Sequence, residues 1–126
     1  MELAPGLTGT AALTVGDADL APALGSGDVP VLGTPRVVAL SEEATVDAVA
    51  DALDTGSTTV GVRVDVEHLA PSIAGSEVVA TAVVTEVDGR RLTYTVTVRD
   101  GDRIVARGTI WRVAVDRDRF VDGLGD

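Results

Sequence analysis

The chain has 126 residues, 45% of them hydrophobic and 2% aromatic, with no cysteine and a single histidine, His68. That length suits one domain that buries roughly two-thirds of its unfolded surface, and the apolar content argues against disorder. Disulfides, thiolate chemistry, thiolate zinc sites and multi-histidine metal sites within one chain are excluded. With ten arginines, no lysine and twenty acidic residues, the net charge of −10 repels nucleic acid and leaves room for an anionic ligand only where arginines gather locally.

The N-terminal MELAPGLTG lacks the basic-then-apolar pattern of a secretory signal. No run approaches the ~20 apolar residues of a membrane span. The expectation is a soluble cytoplasmic protein with no membrane partner. Leu7 to Val15 reads as a short strand. Residues 16 to 34 are dense in Gly, Pro, Asp and Ser, and a loop of that length in a small domain is usually functional or mobile. From Thr34 to Leu53 the signals turn helical: Thr34 suits the N-cap, Pro35 the first helical position, and Gly56 the stop. The helix's apolar positions, among them Val37, Leu40, Ala44, Ala48, Val49 and Leu53, cover enough of its surface to predict substantial burial.

The remainder alternates with a period of two. Val60, Val62, Val64 and Val66 are expected on one face of a strand, with Gly61, Arg63, Asp65 and Glu67 on the other. Ser76 to Val87 is the next strand, and Asp88-Gly89 supplies a tight hairpin turn. Leu92, Tyr94, Val96 and Val98 alternate with threonines, and Asp100-Gly101 leads into a last strand from Arg103 to Val115. The predicted class is α+β, an antiparallel sheet with one face covered by the single long helix. The opposite, partly apolar face calls for a partner subunit, which predicts a homodimer or a higher oligomer built from it.

Few residues can do chemistry. Glu42 falls on the stripe of Val38, Thr45 and Val49. There it is either a buried carboxylate with its pKa raised, able to act as a base, or an exposed one on a rolled helix. His68 ends the Val60–Val66 strand, either as an acid/base imidazole reaching into a cleft or as a surface histidine in a turn. Thr34 caps the helix, or presents its hydroxyl where a helix N-terminus stabilises a developing oxyanion. Gly61 marks a bulge or lets a ligand approach the backbone. Arg112 interrupts an apolar strand face, so it either reaches past its neighbours to water or lines a ligand channel. Arg90 and Arg91, beside the Asp88-Gly89 turn, are further cationic candidates.

In PVLGTPRVVALSEEATVDAV, GSTTVGVRVDVEHLAPS and EVDGRRLTYTVTVRDG the chain resembles the hot-dog-fold thioesterases, most closely the fluoroacetyl-CoA thioesterase-like group. The resemblance runs from Gly25 through Phe120. It implies a single hot-dog domain over residues 1–126, its antiparallel sheet wrapped around one long helix. It further implies that Thr34, Glu42 and His68 form the catalytic set and that Gly61 matches an active-site glycine. The implied activity is hydrolysis of a short or medium acyl-CoA or acyl-carrier thioester, with no cofactor. Arg112 is the arginine expected to meet the carrier's phosphates, through its bidentate fork. The segment ALGSGDVPVLG lacks the phenylalanines this group carries before its helix, so fluoroacetyl selectivity does not follow. A non-catalytic acyl-thioester or small-ligand binding module on the same fold is the alternative. A hydratase of this fold fits less well, because the single histidine stands on an otherwise ordinary strand.

Overall fold

Val37, Leu40, Ser41, Ala44, Thr45, Ala48 and Val49 are the buried residues of the long helix, and intervals of three and four place them on one stripe. Ser41 and Thr45 tolerate burial because their hydroxyls donate within the helix, to the carbonyls of Val37 (2.9 Å) and Glu42 (2.6 Å). The computed structural model describes residues 2–125. In it this helix, α2 (Thr34–Val49), follows strand β1 (Thr8–Thr14) and a short helix α1 (Ala21–Leu24). It precedes β2 (Ser57–His68), β3 (Glu77–Asp88), β4 (Arg91–Asp100), β5 (Arg103–Asp116) and a short α3 (Arg117–Asp122).

The helix ends at Val49, four residues before the expected Leu53. Beyond it, Ala50 and Ala52 donate to the carbonyls three residues back, Asp47 and Val49, so the last turn tightens out of α geometry. Gly56, at φ +87°, then reverses the chain in a conformation that suits glycine.

The sheet is a curled five-stranded antiparallel layer in the order β1-β3-β4-β5-β2, wrapped on α2. Strand β2 pairs not with its sequence neighbour β3 but with β5, so it occupies one edge. The core lies between helix and sheet, where Val78, Ala82, Leu92, Tyr94, Val96 and Ile110 are fully buried. Gly9 lets β1 touch the helix: a Cβ there would collide with the backbone of Ala44 and Ala48. The opposite face is partly apolar, as the alternation suggested: Val79, 41% exposed, points outward between buried Val78 and Ala80. Thr93, Trp111 and Arg63 are cross-strand partners on it, and the Arg63 guanidinium stacks 4.5 Å from the Trp111 ring centroid. Exposed apolar surface is found also on β2, at Val62 (49%) and Val64 (40%).

A bulge also corrects the predicted faces of β2. Its register with β5 shifts between Gly61 and Arg63, which adds one residue, Val62, and switches the side to which later residues point. Thr59, Gly61, Val64 and His68 therefore face the helix, paired with Ala114, Arg112, Ile110 and Ala106. Val60 faces outward with Val113. A similar shift between Val98 and Arg99 sets Ile104 on the outer side, away from Ala106 and Ile110. No helix among the described residues is long and apolar enough to cross a membrane.

Candidate active site

Residues 16–33 are an organised loop. Leu20 bridges Leu32, and the Ala21 amide donates to the Val31 carbonyl at 2.8 Å. Asp19 ties the base to the helix, accepting from the Gly16 amide (2.8 Å) and from Arg36 Nε (3.2 Å). Arg36 also reaches Glu43. The loop tip, Gly25 to Pro30, overhangs a cleft of about 330 Å³ whose walls include Ala21, Val29, Val31, Leu69 and Pro71. Thr34 and His68 line the same cleft.

Thr34 does not cap the helix. Gly33 is the N-cap and Thr34 the first helical residue, with Pro35 second. Packing favours glycine at the cap, since a Cβ would stand 2.7 Å from Leu24 Cδ1 and 3.2 Å from Ala21 Cα, so both would have to shift. Released from capping, the Thr34 hydroxyl lies 2.8 Å from His68 Nδ1. The other ring nitrogen, Nε2, is buried and has no partner among the described residues. Burial pushes the His68 pKa below its usual 6.5, with a backbone hydrogen bond at Ala70 acting in the opposite sense. The neutral ring favoured by burial has one donor and one acceptor nitrogen. With Nδ1 accepting, it draws the Thr34 proton; with Nδ1 donating, Nε2 becomes the free base.

Glu42 belongs to a different cluster. It is eight residues along α2 from Thr34, a rise of about 12 Å, and lines a second cleft of about 400 Å³ with Ala39, Val46 and Arg112. It falls between the two alternatives that periodicity left open, neither fully buried nor fully exposed. Its side chain is 35% exposed, and Oε2 accepts from Arg112 Nη1 at 2.8 Å. Oε1 has no hydrogen-bond partner among the described residues. Gly61 sits directly against this pair, where a Cβ would be 2.6 Å from Glu42 Oε2 and 3.2 Å from Arg112 Nη1. So the glycine both adjoins a bulge and permits a close approach, the approach here being that of a side chain.

Arg112 does not reach past its neighbours to water; it stands in the wall of this second cleft. It is 7% exposed, and its Nε and Nη2 donate to Thr59 Oγ1 and to the Thr59 carbonyl, each at 3.0 Å. Thr59 went unremarked in the sequence. The available signal was a polar residue two positions before Gly61 on a strand rich in valine. Near Arg112, burial pushes the Tyr94 phenol up to about 12 although the guanidinium pulls it down, so the phenol stays protonated at any working pH. Arg90 and Arg91 are exposed on the β3–β4 turn and line neither cleft. Within one subunit, then, the structure joins Thr34 to His68, and Glu42 to Arg112, Thr59 and Gly61.

Residues 15–118 match the protein family described as fluoroacetyl-CoA-specific thioesterase. Over 90 residues the chain is 34% identical to the fluoroacetyl-CoA thioesterase of Streptantibioticus cattleyicolor. That alignment covers 71% of this chain and 65% of its relative, a little under two-thirds of the latter's length. A crystal structure of a fluoroacetyl-CoA-specific thioesterase variant with fluoroacetate and CoA superposes with a TM-score of 0.86 at 29% identity, covering 94% of this chain and 99% of that one. The hot-dog-like protein of Thermanaerovibrio acidaminovorans superposes at 0.83 with 25% identity, covering 97% and 93%.

Proposed function

Since the chain belongs to the fluoroacetyl-CoA-specific thioesterase family, we propose that it hydrolyses an acyl-CoA or acyl-carrier thioester with Thr34, Glu42 and His68 as its catalytic residues. The observation that carries this reading is the 2.8 Å contact of Thr34 Oγ1 with His68 Nδ1 at the head of an aliphatic cleft. In the reaction, the oxygen of water or of the Thr34 hydroxyl adds to the thioester carbonyl carbon, the C–S bond breaks, and the thiol leaves with a proton. Where Thr34 adds, a water then cleaves the acyl-Thr34 ester, releasing the acid and restoring the hydroxyl. His68 moves that proton, either from Thr34 or from a water at Nε2. The N-terminus of α2 presents its positive end to the developing oxyanion. The loop tip over the cleft, Gly25-Ser26-Gly27-Asp28-Val29-Pro30, offers no aromatic side chain, which fits a short or medium aliphatic acyl group and gives no basis for selecting fluoroacetyl.

One subunit leaves Glu42 far from His68, and a dimer supplies the remedy. The outer edge of β2 is a twelve-residue row of backbone groups beside exposed Val62 and Val64, a ready template for a second strand. In antiparallel pairing about a two-fold axis at Asp65, with Val62 bulged out of the count, Gly61 of one strand stands across from His68 of the partner subunit, about 5 Å away. Glu42 and Arg112, packed on Gly61, then adjoin the Thr34–His68 pair of the other chain. Catalysis in this arrangement requires the dimer. Val64→Lys is expected to yield a monomer in sedimentation velocity, with thiol release reduced at least tenfold. A fully active monomer would remove the dimer from the mechanism.

The activity itself is tested by thiol release from a series of straight-chain acyl-CoAs. The wild type is expected to turn over the short and medium members, while Glu42→Ala and His68→Ala lose most of that turnover. Saturable binding without thiol release would make the protein a binding module instead.

A further inference from the structure

We propose that Thr59 is a positioning residue of the site: it fixes the Arg112 guanidinium, which in turn fixes the Glu42 carboxylate. The inference rests on the thioesterase reading and deepens it. Thr59 is 8% exposed on the inner face of β2. Its hydroxyl oxygen and its carbonyl accept from Nε and Nη2 of Arg112, both at 3.0 Å. Those two nitrogens form one edge of a planar fork. Held on that edge, the guanidinium cannot turn about its own plane, and the direction of Nη1 is set. Nη1 donates to Glu42 Oε2 at 2.8 Å, which leaves Oε1 without a hydrogen-bond partner among the described residues of the second cleft. Gly61, two residues along the strand, provides the space in which carboxylate and guanidinium meet.

The residue type at position 59 supports this role. A strand position facing a core of valine, alanine and leucine is served by valine, which shares the branched shape of threonine. The difference between the two is the hydroxyl, and its one hydrogen bond among the described residues goes to Arg112. A carboxylate that lies about one-third exposed samples several rotamers unless something holds it. A group aimed in advance works without reorganising during reaction.

The test compares Thr59→Val, Thr59→Ser and Glu42→Gln in the full chain, using the acyl-CoA that the wild type hydrolyses fastest. Thr59→Val is expected to lower kcat roughly ten- to fifty-fold with KM within about twofold, as for loss of a buried bond to a charged group. Thr59→Ser is expected to keep most of the activity. On the Glu42→Gln background, Thr59→Val is expected to cost less than about twofold further, because its effect passes through Glu42. In urea denaturation the two changes are expected to be non-additive, whatever the activity. Thr59→Val activity within twofold of wild type beside an inactive Glu42→Gln chain overturns the proposal, as do independent, multiplying losses. Full activity of Glu42→Gln overturns the catalytic reading and the part Thr59 plays in turnover; the urea cycle then shows whether the mechanical linkage exists. If the valine chain does not fold, Thr59→Cys, a poor acceptor of similar size, takes its place.

Discussion

His68→Ala is expected to lower kcat for acyl-CoA hydrolysis by roughly 10²–10⁴-fold, the range for loss of a positioned general base, with KM little changed. The ring touches the Thr34 hydroxyl through Nδ1 and keeps Nε2 unpartnered, so both routes for the proton pass through it. The same geometry fixes the pH dependence. Burial lowers the His68 pKa below 6.5, and the base form is the neutral one. The kcat/KM of the wild type is therefore expected to be level above pH 6.5 and to fall tenfold per unit below the folded pKa. Stability follows the same sign. Between the folded value and 6.5 the unfolded chain binds a proton that the folded chain does not. The stabilisation gained by keeping the ring neutral is thus present above 6.5 and lost as the pH falls through that window. A pH–rate profile and urea midpoints for wild type and His68→Asn check both statements. An alanine variant within tenfold of wild type, or an acid limb beginning above pH 7, would contradict them.

The second large effect is expected at Arg112, on stability and turnover together. Arg112→Met removes three donated bonds, leaving Glu42 without its cation and Thr59 Oγ1 and its carbonyl without a donor. Breaking a buried ion pair from one side costs about 3–5 kcal/mol. Glu42 keeps a third of its side-chain surface in water, so about 2–3 kcal/mol is expected here. A guanidinium that gripped carrier phosphates would, on loss, raise KM for the CoA thioester and spare a truncated thioester lacking the nucleotide. With its donors turned inward, Arg112 is expected instead to lower kcat for both substrates by the same factor, at least tenfold. Arg112→Lys should recover little, since an ammonium cannot hold Thr59 and Glu42 in one plane. Urea denaturation and parallel assays on the two substrates decide it. A loss confined to KM for the CoA thioester would return Arg112 to the carrier.

What the sequence determined by itself is local. The stripe of α2 from Val37 to Val49 and the threonine alternation of β4 follow from periods of 3.6 and 2, and the Asp88-Gly89 and Asp100-Gly101 turns from glycines at positive φ. Those periods act within a few residues, so each could be read from neighbours along the chain. The resemblance from which Thr34, Glu42 and His68 are proposed as a set likewise draws on type, order and spacing, which requires only the linear chain. The tertiary structure decided what depends on partners distant in sequence. Strand β2 lies beside β5, and one extra residue at Val62 turns Val64 and His68 onto the inner face that Thr59 and Gly61 share; slips of one residue reverse a whole strand face, and only the pairing fixes them. Thr34 is freed for His68 because Gly33 fits against Ala21 and Leu24, a contact no capping rule contains. Arg112 faces Glu42 and Thr59, not solvent, because the chain returns β5 to β2 across a sequence separation of 53. The rise of α2 between Thr34 and Glu42 separates residues that the linear pattern had grouped as one set.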